Sequence, residues 1–311
     1  MRCAFHSQRD SLTLNLPSSQ TTAWRAVVRV LRSTGDGLAS VVFPADCRVC
    51  GDPLAALSRV PVCDSCWNDL PEQSGPLCSR CGESLSVSDF GEGGEGYCRP
   101  CRVAPPDFER AVAHGLYTAT MRSLLHLLKY DGLEPAATRL GSLLALQVAA
   151  LDGLPPRMLV VPVPLFEGKR RERGFNQSEL LARATCDALR RLRPAWQGEL
   201  AARALVRRRS TESQAGLTLP ERRRNLRGAF SVPAPEKLQG RDVLLIDDIY
   251  TTGATARACS LALKKAGAAS VWVATVARAQ RHEIQFAASS IAVELPMHED
   301  VAMWDGGNTT Q

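Results

Sequence analysis

Two adjacent carboxylates followed by a run of hydroxyls carry the densest chemistry in this 311-residue sequence: Asp247-Asp248-Ile249-Tyr250-Thr251-Thr252-Gly253-Ala254-Thr255. The hydroxyls of Thr251, Thr252 and Thr255 lie where a helix is predicted to begin. Free backbone N–H groups converge there, and together they make a cradle for an anion such as a phosphate. Gly253 lets the backbone approach a ligand closely. Asp247 and Asp248 cannot face the same bare phosphate, because like charges repel. They suit vicinal hydroxyls and a bound Mg²⁺. A phosphate at one end and a diol at the other point to a ribose 5-phosphate. The competing reading is a strand end with solvated acids ahead of a capped helix, but that reading requires neither the acid pair nor the Thr-Thr-Gly-x-Thr run. The spacing fits neither a P-loop nor a dinucleotide-binding fingerprint.

Eight of the 11 cysteines form a second cluster of chemistry, as four Cys-x-x-Cys pairs: Cys47/Cys50, Cys63/Cys66, Cys78/Cys81 and Cys98/Cys101. Random placement would give about 0.4 such pairs in the chain. Two knuckles of this kind complete a tetrahedral Cys₄ zinc site. Gly51 and Gly82 follow the first knuckle of each half, where a ribbon turn needs positive φ. The repeat predicts two structural Zn²⁺ ions in two ribbons. Sequential pairing of the knuckles is the simplest arrangement, and interleaved pairing stays open. A disulfide framework fits poorly with a chain that begins without an apolar secretory segment. A redox role would ordinarily need one exposed pair. Cys3, Cys186 and Cys259 lack partners at metal spacing and are expected to be inert.

The elements that position these groups follow from periodicity. Val243 to Ile246 is a continuous apolar run, as in a strand buried on both faces. The acids are expected just past its end. Ala256 to Ala266 reads as the following helix, with Lys264 and Lys265 in its last turn and Gly267 as its stop. Met158 to Leu165 is a second buried strand, closed by Pro162 and Pro164. It opens into a basic loop with Lys169, Arg170, Arg171 and Arg173, placed for a pyrophosphate; a solvated charge run is the competing reading. Asn176 and Glu179 have capping-box spacing ahead of a helix over 177–192. Phe108 to Tyr117 and Ser270 to Val276 read as strands. Met121 to Tyr130 and 136–151 read as helices, and His126 and Lys129 in the first of these receive no role. Thr218 and Glu221 have capping-box spacing ahead of another short helix, and Ala23 to Leu31 has helical spacing.

These pieces, over roughly residues 40–279, resemble the ComF family of competence-associated, phosphoribosyltransferase-like proteins. The run from Val243 to Thr255 resembles the PRPP-binding motif of type I phosphoribosyltransferases. The other matching segments are the Cys-x-x-Cys ribbons after Phe43-Pro44, Leu128-Lys129-Tyr130-Asp131-Gly132 and Arg173-Gly174-Phe175-Asn176-Gln177. Thr211 and Gln214, followed by Arg224-Asn225 and Ala229-Phe230, add a further match. The resemblance implies an α/β fold of the type I phosphoribosyltransferase kind, a parallel sheet flanked by helices behind a zinc ribbon domain. It implies that Asp247 and Asp248 hold the ribose hydroxyls. It assigns PRPP binding to those acids and to Thr251, Thr252, Gly253, Ala254 and Thr255; the basic loop after the second strand adds Lys169, Arg170 and Arg173 for the pyrophosphate of PRPP. It also implies a role in handling imported DNA or in nucleotide salvage. No base-specific hood segment is recognisable, so an enzyme with an unidentified acceptor and a non-catalytic PRPP sensor both remain open. A glutamine amidotransferase is not expected, because Cys3 lies behind Met1-Arg2.

The expected organisation is a disordered extension over 1–22, a helix and double ribbon over 23–104, the phosphoribosyltransferase-like domain over 105–279 and a tail over 280–311. Composition agrees with a globular chain, at 45% hydrophobic and 23% charged. No apolar run approaches the ~20 residues of a membrane span, and a cytoplasmic protein is expected. The net charge of +6 is uneven. Residues 157–227 hold 17 Arg and Lys against 7 Asp and Glu, a balance of +10. Such a field suits PRPP, single-stranded DNA or a DNA-uptake partner. A general bias toward arginine explains the scattered cations equally well.

Overall fold

The computed structural model describes residues 45–56, 58–86, 89–90, 96–209, 225–226 and 228–280. The expected extension, the helix at Ala23 to Leu31, Phe43-Pro44, the segment with Thr211, Gln214, Thr218, Glu221 and Arg224, and all of the tail beyond Gln280 lie outside the described residues. The chain divides into two compact units, Met1–Trp67 and Asn68–Gln311. Among the described residues no helix is long and apolar enough to cross a membrane.

In chain order the helices are α1 (Asp64–Asn68), α2 (Arg99–Val103), α3 (Ala119–Tyr130), α4 (Ala136–Ala149), α5 (Glu167–Arg173), α6 (Gln177–Leu192) and α7 (Ala254–Lys265). The strands are β1 (Arg110–Leu116), β2 (Arg157–Pro162), β3 (Gln197–Leu200), β4 (Val206–Arg207), β5 (Phe230–Ser231), β6 (Asp242–Tyr250) and β7 (Ser270–Arg278). Five of them form a parallel sheet in the order β1-β7-β6-β2-β3. β4 and β5 form a separate antiparallel pair.

The central strands are buried on both faces, which is why they read as unbroken apolar runs. Val243 and Leu245 of β6 share one core with Val271 and Val273 of β7 and with Cys259 and Leu263 of α7. Leu244 and Ile246 point to the opposite face, where α4 and α6 cover the sheet. Helix α6 presents Leu181, Ala182, Thr185, Cys186, Ala188 and Leu189 inward at helical spacing. The parallel sheet with helices on both faces, behind cysteine-rich ribbons, is therefore the architecture of the chain.

Two local expectations change, and one strand had given no signal. Strand β6 does not stop before the acids. It runs through Tyr250, because the main chain at Asp247, Ile249 and Tyr250 pairs with Thr275, Ala277 and Arg278 of β7, whatever the side chains are. The basic loop is partly the seven-residue helix α5, supported by an Arg171–Glu167 ion pair one turn apart. Strand β3 carried no apolar signal, because its residues alternate between exposed and half-buried at the sheet edge.

Candidate functional site

The C-terminal part of β6 delivers the two carboxylates to different surroundings. Asp248 is 6% exposed and forms an ion pair with Lys129 of α3. Its other oxygen accepts from the Ile249 amide at 2.9 Å. Burial works against its charged form, but the Lys129 ammonium outweighs it and holds the carboxyl below the usual range. Lys129 is held above its ordinary value for the same reason: the carboxylates beside it outweigh its burial. Asp247 is half-buried and faces the loop. Its Oδ1 accepts from the Ser178 hydroxyl at 3.0 Å and from the Asp248 amide at 2.9 Å. Burial, and next the charge of Asp248, push its carboxyl up. The pair thus splits into a fixed anion and an acid that a bound cation or diol would recruit.

The turn beyond β6 is shaped by one glycine. Gly253 caps α7 with φ 75°, and a β-carbon there would collide with the Tyr250 hydroxyl. Helix α7 then starts at Ala254, and its first-turn amides have no partners inside the helix. Its dipole adds positive potential at the same point. Thr252 Oγ1 accepts from the Ala254 amide at 3.4 Å. Asp247, Thr251, Gly253, Ala254 and Thr255 line one cleft, floored by Val163, Leu245 and Tyr250. Gly253→Ala should destabilise the fold by about 1–2 kcal/mol through left-handed strain alone, read by urea denaturation. A variant as stable as wild type would show that the turn can relax.

The cations assigned to pyrophosphate lie on α5, and the structure gathers none of them into the cleft. Arg173 donates to Gln177 Oε1 at 2.6 Å and stacks over the Tyr130 ring at 4.9 Å. Arg170 stands 3.9 Å from Glu179. Lys169 is exposed. None of the three lines the cleft. Asn176 caps α6 by accepting from the Ser178 amide at 3.1 Å, and donates to the Val163 carbonyl at 3.1 Å. That bond fixes the α6 start beside the end of β2 and so aims Ser178 at Asp247.

Lys129, Ser178 and Tyr250 are residues of this site to which the sequence assigned no role. All three stood in or beside the matching segments, at Leu128-Lys129-Tyr130-Asp131-Gly132, Asn176-Gln177 and Val243 to Thr255. Nothing in the period of α3 indicates that Lys129 reaches β6.

The cysteines form two clusters with sequential pairing, Cys47/Cys50/Cys63/Cys66 and Cys78/Cys81/Cys98/Cys101. Within each, the sulfurs all lie within 4.8 Å of one another. Cys47–Cys66, Cys50–Cys63 and Cys81–Cys98 are separated by 3.8, 3.7 and 3.6 Å. A tetrahedral zinc with ~2.3 Å bonds to sulfur needs edges of about 3.8 Å, so the donor sets fit. Amides of Cys63 and Cys98 donate to Cys47 and Cys78 Sγ at 3.3 Å, which favours thiolates. Both clusters are structural zinc sites. Elemental analysis should return two zinc per chain; a value near one would show a degenerate ribbon. Cys186 and Cys259 are buried apart from these clusters, and burial raises both thiols, Cys259 the further.

Comparison with known proteins agrees with this geometry. The double zinc ribbon domain family matches residues 38–102. The chain is 34% identical over 237 residues to DNA utilization protein YhgH of Escherichia coli K12, covering 75% of this chain and 96% of that one. It is 28% identical over 228 residues to competence protein F of Haemophilus influenzae, covering 72% and 93%. It is 28% identical over 229 residues to competence protein ComFC of Bacillus subtilis, covering 70% and 84%. Among solved structures, a glutamine PRPP amidotransferase from B. subtilis aligns over 45% of this chain and 26% of its own, at 20% identity and a TM-score of 0.28, too remote to bear on function. With ribbons, sheet and matching segments in this order, the chain belongs to the ComF family of competence-associated proteins, alongside YhgH and competence protein F.

Proposed function

We propose that this protein binds Mg²⁺-PRPP and transfers its phosphoribosyl group to an acceptor in the handling of imported DNA or in nucleotide salvage. The observation that carries this reading is the split acid pair, with Asp247 in one cleft with a phosphate-type loop and Asp248 buried against Lys129. The α7 start would hold the 5-phosphate. Asp247 would hold the ribose hydroxyls and the Mg²⁺ that travels with PRPP, with Asp248 as a fixed negative charge behind it. Negative charge at this point would stabilise the oxocarbenium-like ribose as pyrophosphate leaves. Arg173, with Lys169 and Arg170 on the exposed face of α5, would receive the pyrophosphate. Titrating PRPP into zinc-loaded protein, with and without Mg²⁺, should give saturable, Mg²⁺-dependent heat. Pyrophosphate release with a panel of bases and nucleic acids then separates turnover from binding alone.

A second reading is a PRPP sensor that holds single-stranded DNA without turnover. The balance of +10 over residues 157–227 favours it. Phosphate contacts would make log affinity for single-stranded DNA fall linearly with log salt. A flat salt response would remove this reading.

A further inference from the structure

The two Cys₄ clusters differ in their surroundings. In the first, Cys50 is exposed and Cys63 half-buried. In the second, all four cysteines are buried, in the same apolar core as Tyr250, Ala254 and Ala256 at the loop. One side chain ties that cluster to the loop. Arg278, the last residue of β7, is 2% exposed. Its guanidinium donates to the Cys81 carbonyl oxygen and lies 3.5 Å from Cys81 Sγ. It pairs with Glu83 at 2.7 Å and stacks over the Tyr250 ring at 4.3 Å. The Tyr250 hydroxyl occupies the space that a β-carbon of Gly253 would take. Contact therefore runs unbroken from Cys81 through Arg278 and Tyr250 to the glycine that shapes the anion cradle.

A buried guanidinium is stable only with its charges matched. Zinc-bound thiolates present a fixed, negatively charged sulfur to Arg278, and groups of this kind around a metal site tune and orient its ligands. Without metal, four close thiolates repel one another or take up protons, and the ribbon loses the bonds that order it. Arg278 would then lose its anchor, and Tyr250 the cation that holds its ring beneath Gly253.

We propose that zinc at Cys78/Cys81/Cys98/Cys101 positions the phosphate loop through Arg278 and Tyr250, so that metal retention there and anion binding are coupled. The first cluster is outside this coupling. The inference rests on the reading of the loop given above. Coupling is reciprocal: if the metal tightens PRPP binding, PRPP must retain the metal by the same factor. Arg278 is thus a positioning residue, acting on the loop through Tyr250.

The test uses the full zinc-loaded chain and a chelating zinc indicator, with and without saturating Mg²⁺-PRPP. Zinc release should be biphasic, with the fast phase from the less buried first cluster. PRPP should slow the slow phase at least threefold and leave the fast phase unchanged. Protein that has lost only the fast zinc should keep its PRPP affinity by calorimetry. Arg278→Met should abolish the protection, whereas Leu189→Ala, a destabilising change in α6 away from the contact path, should retain it. Tyr250→Phe keeps the ring under Arg278 and removes only the hydroxyl beside Gly253. It should weaken protection while zinc release without PRPP stays at the wild-type rate, so the proposal stays testable if Arg278→Met fails to fold. A slow phase that ignores bound PRPP, or full protection in Tyr250→Phe and Arg278→Met, would overturn the coupling. No calorimetric binding by the fully loaded wild type would instead remove the loop reading, and the coupling with it.

Discussion

Replacing Asp248 with Asn will destabilise the protein by about 3 kcal/mol, the low end of what breaking one partner of a buried ion pair costs. Lys129 is the reason. Its side chain is 18% exposed, that of Asp248 is 8% exposed, and the two pair directly. Without Asp248 the ammonium stays in a poorly hydrated site. Asp247 partly offsets the loss, since its own charge is held back by Asp248 and would be released. Lys129→Met combined with Asp248→Asn should recover most of the stability, because the pair is then removed and not broken. Urea denaturation of the three variants decides the matter; a single-variant loss below about 1 kcal/mol would mean the pair is well hydrated. The pH dependence has a definite sign. Asp248 is depressed in the folded state, so its contribution is present above the ordinary carboxylate range and fades as pH falls through the lowered value. Lys129 is raised, so its contribution is complete below the ordinary lysine range and fades as pH rises through the raised value.

Asp247→Asn will leave the fold intact and weaken Mg²⁺-PRPP binding at least tenfold, on the order of 1.4 kcal/mol or more. A charge-assisted contact to a ribose hydroxyl is worth about 1.5–3 kcal/mol, so the loss of one is enough. The Asn carbonyl can still accept from Ser178 and from the Asp248 amide, which keeps the strand end in place. Asp247 also behaves oppositely to its neighbour with pH. Its carboxyl is pushed up to about 8, so the unfolded chain ionises this acid at lower pH than the ligand-free folded protein does, and stability falls as pH rises from the ordinary carboxylate range to that value. Wild type should therefore lose stability between about pH 4 and 8 relative to Asp247→Asn, measured by thermal unfolding without ligand. Tight PRPP binding by a folded Asp247→Asn variant would defeat the assignment of this acid to the ribose.

A combined Asp247→Asn/Asp248→Asn change is a poorer probe than the position of the two acids in the sequence suggests. A strand end implies projecting, dispensable acids, and only Asp247 fits that description. Asp248 belongs to the protein interior, and a variant lacking both would mix lost binding with lost stability.

Much of this protein is local information. A run such as Val243 to Ile246 is apolar because both sides of a parallel strand are covered, so it is legible without knowing what covers it. The helix over 177–192 announces itself through its cap and its period. Cysteine spacing determines the metal-binding knuckles, because two residues between thiolates is a property of the chain itself. The acid pair and threonine loop are likewise contiguous, so their chemistry was visible before any fold. What tertiary structure alone decided is which distant groups meet. Lys129 reaches Asp248 across 119 positions, Ser178 reaches Asp247 across 69, and Arg278 reaches Cys81 across 197. The sequential pairing of the knuckles was also settled only in three dimensions, since either arrangement satisfies the same spacing. Periodicity reports which face of an element is buried, but it carries no information about the partner on the other side. That partner is selected by the order of strands in the sheet, and the strand order is what turns two equivalent carboxylates into one buried anchor and one available ligand.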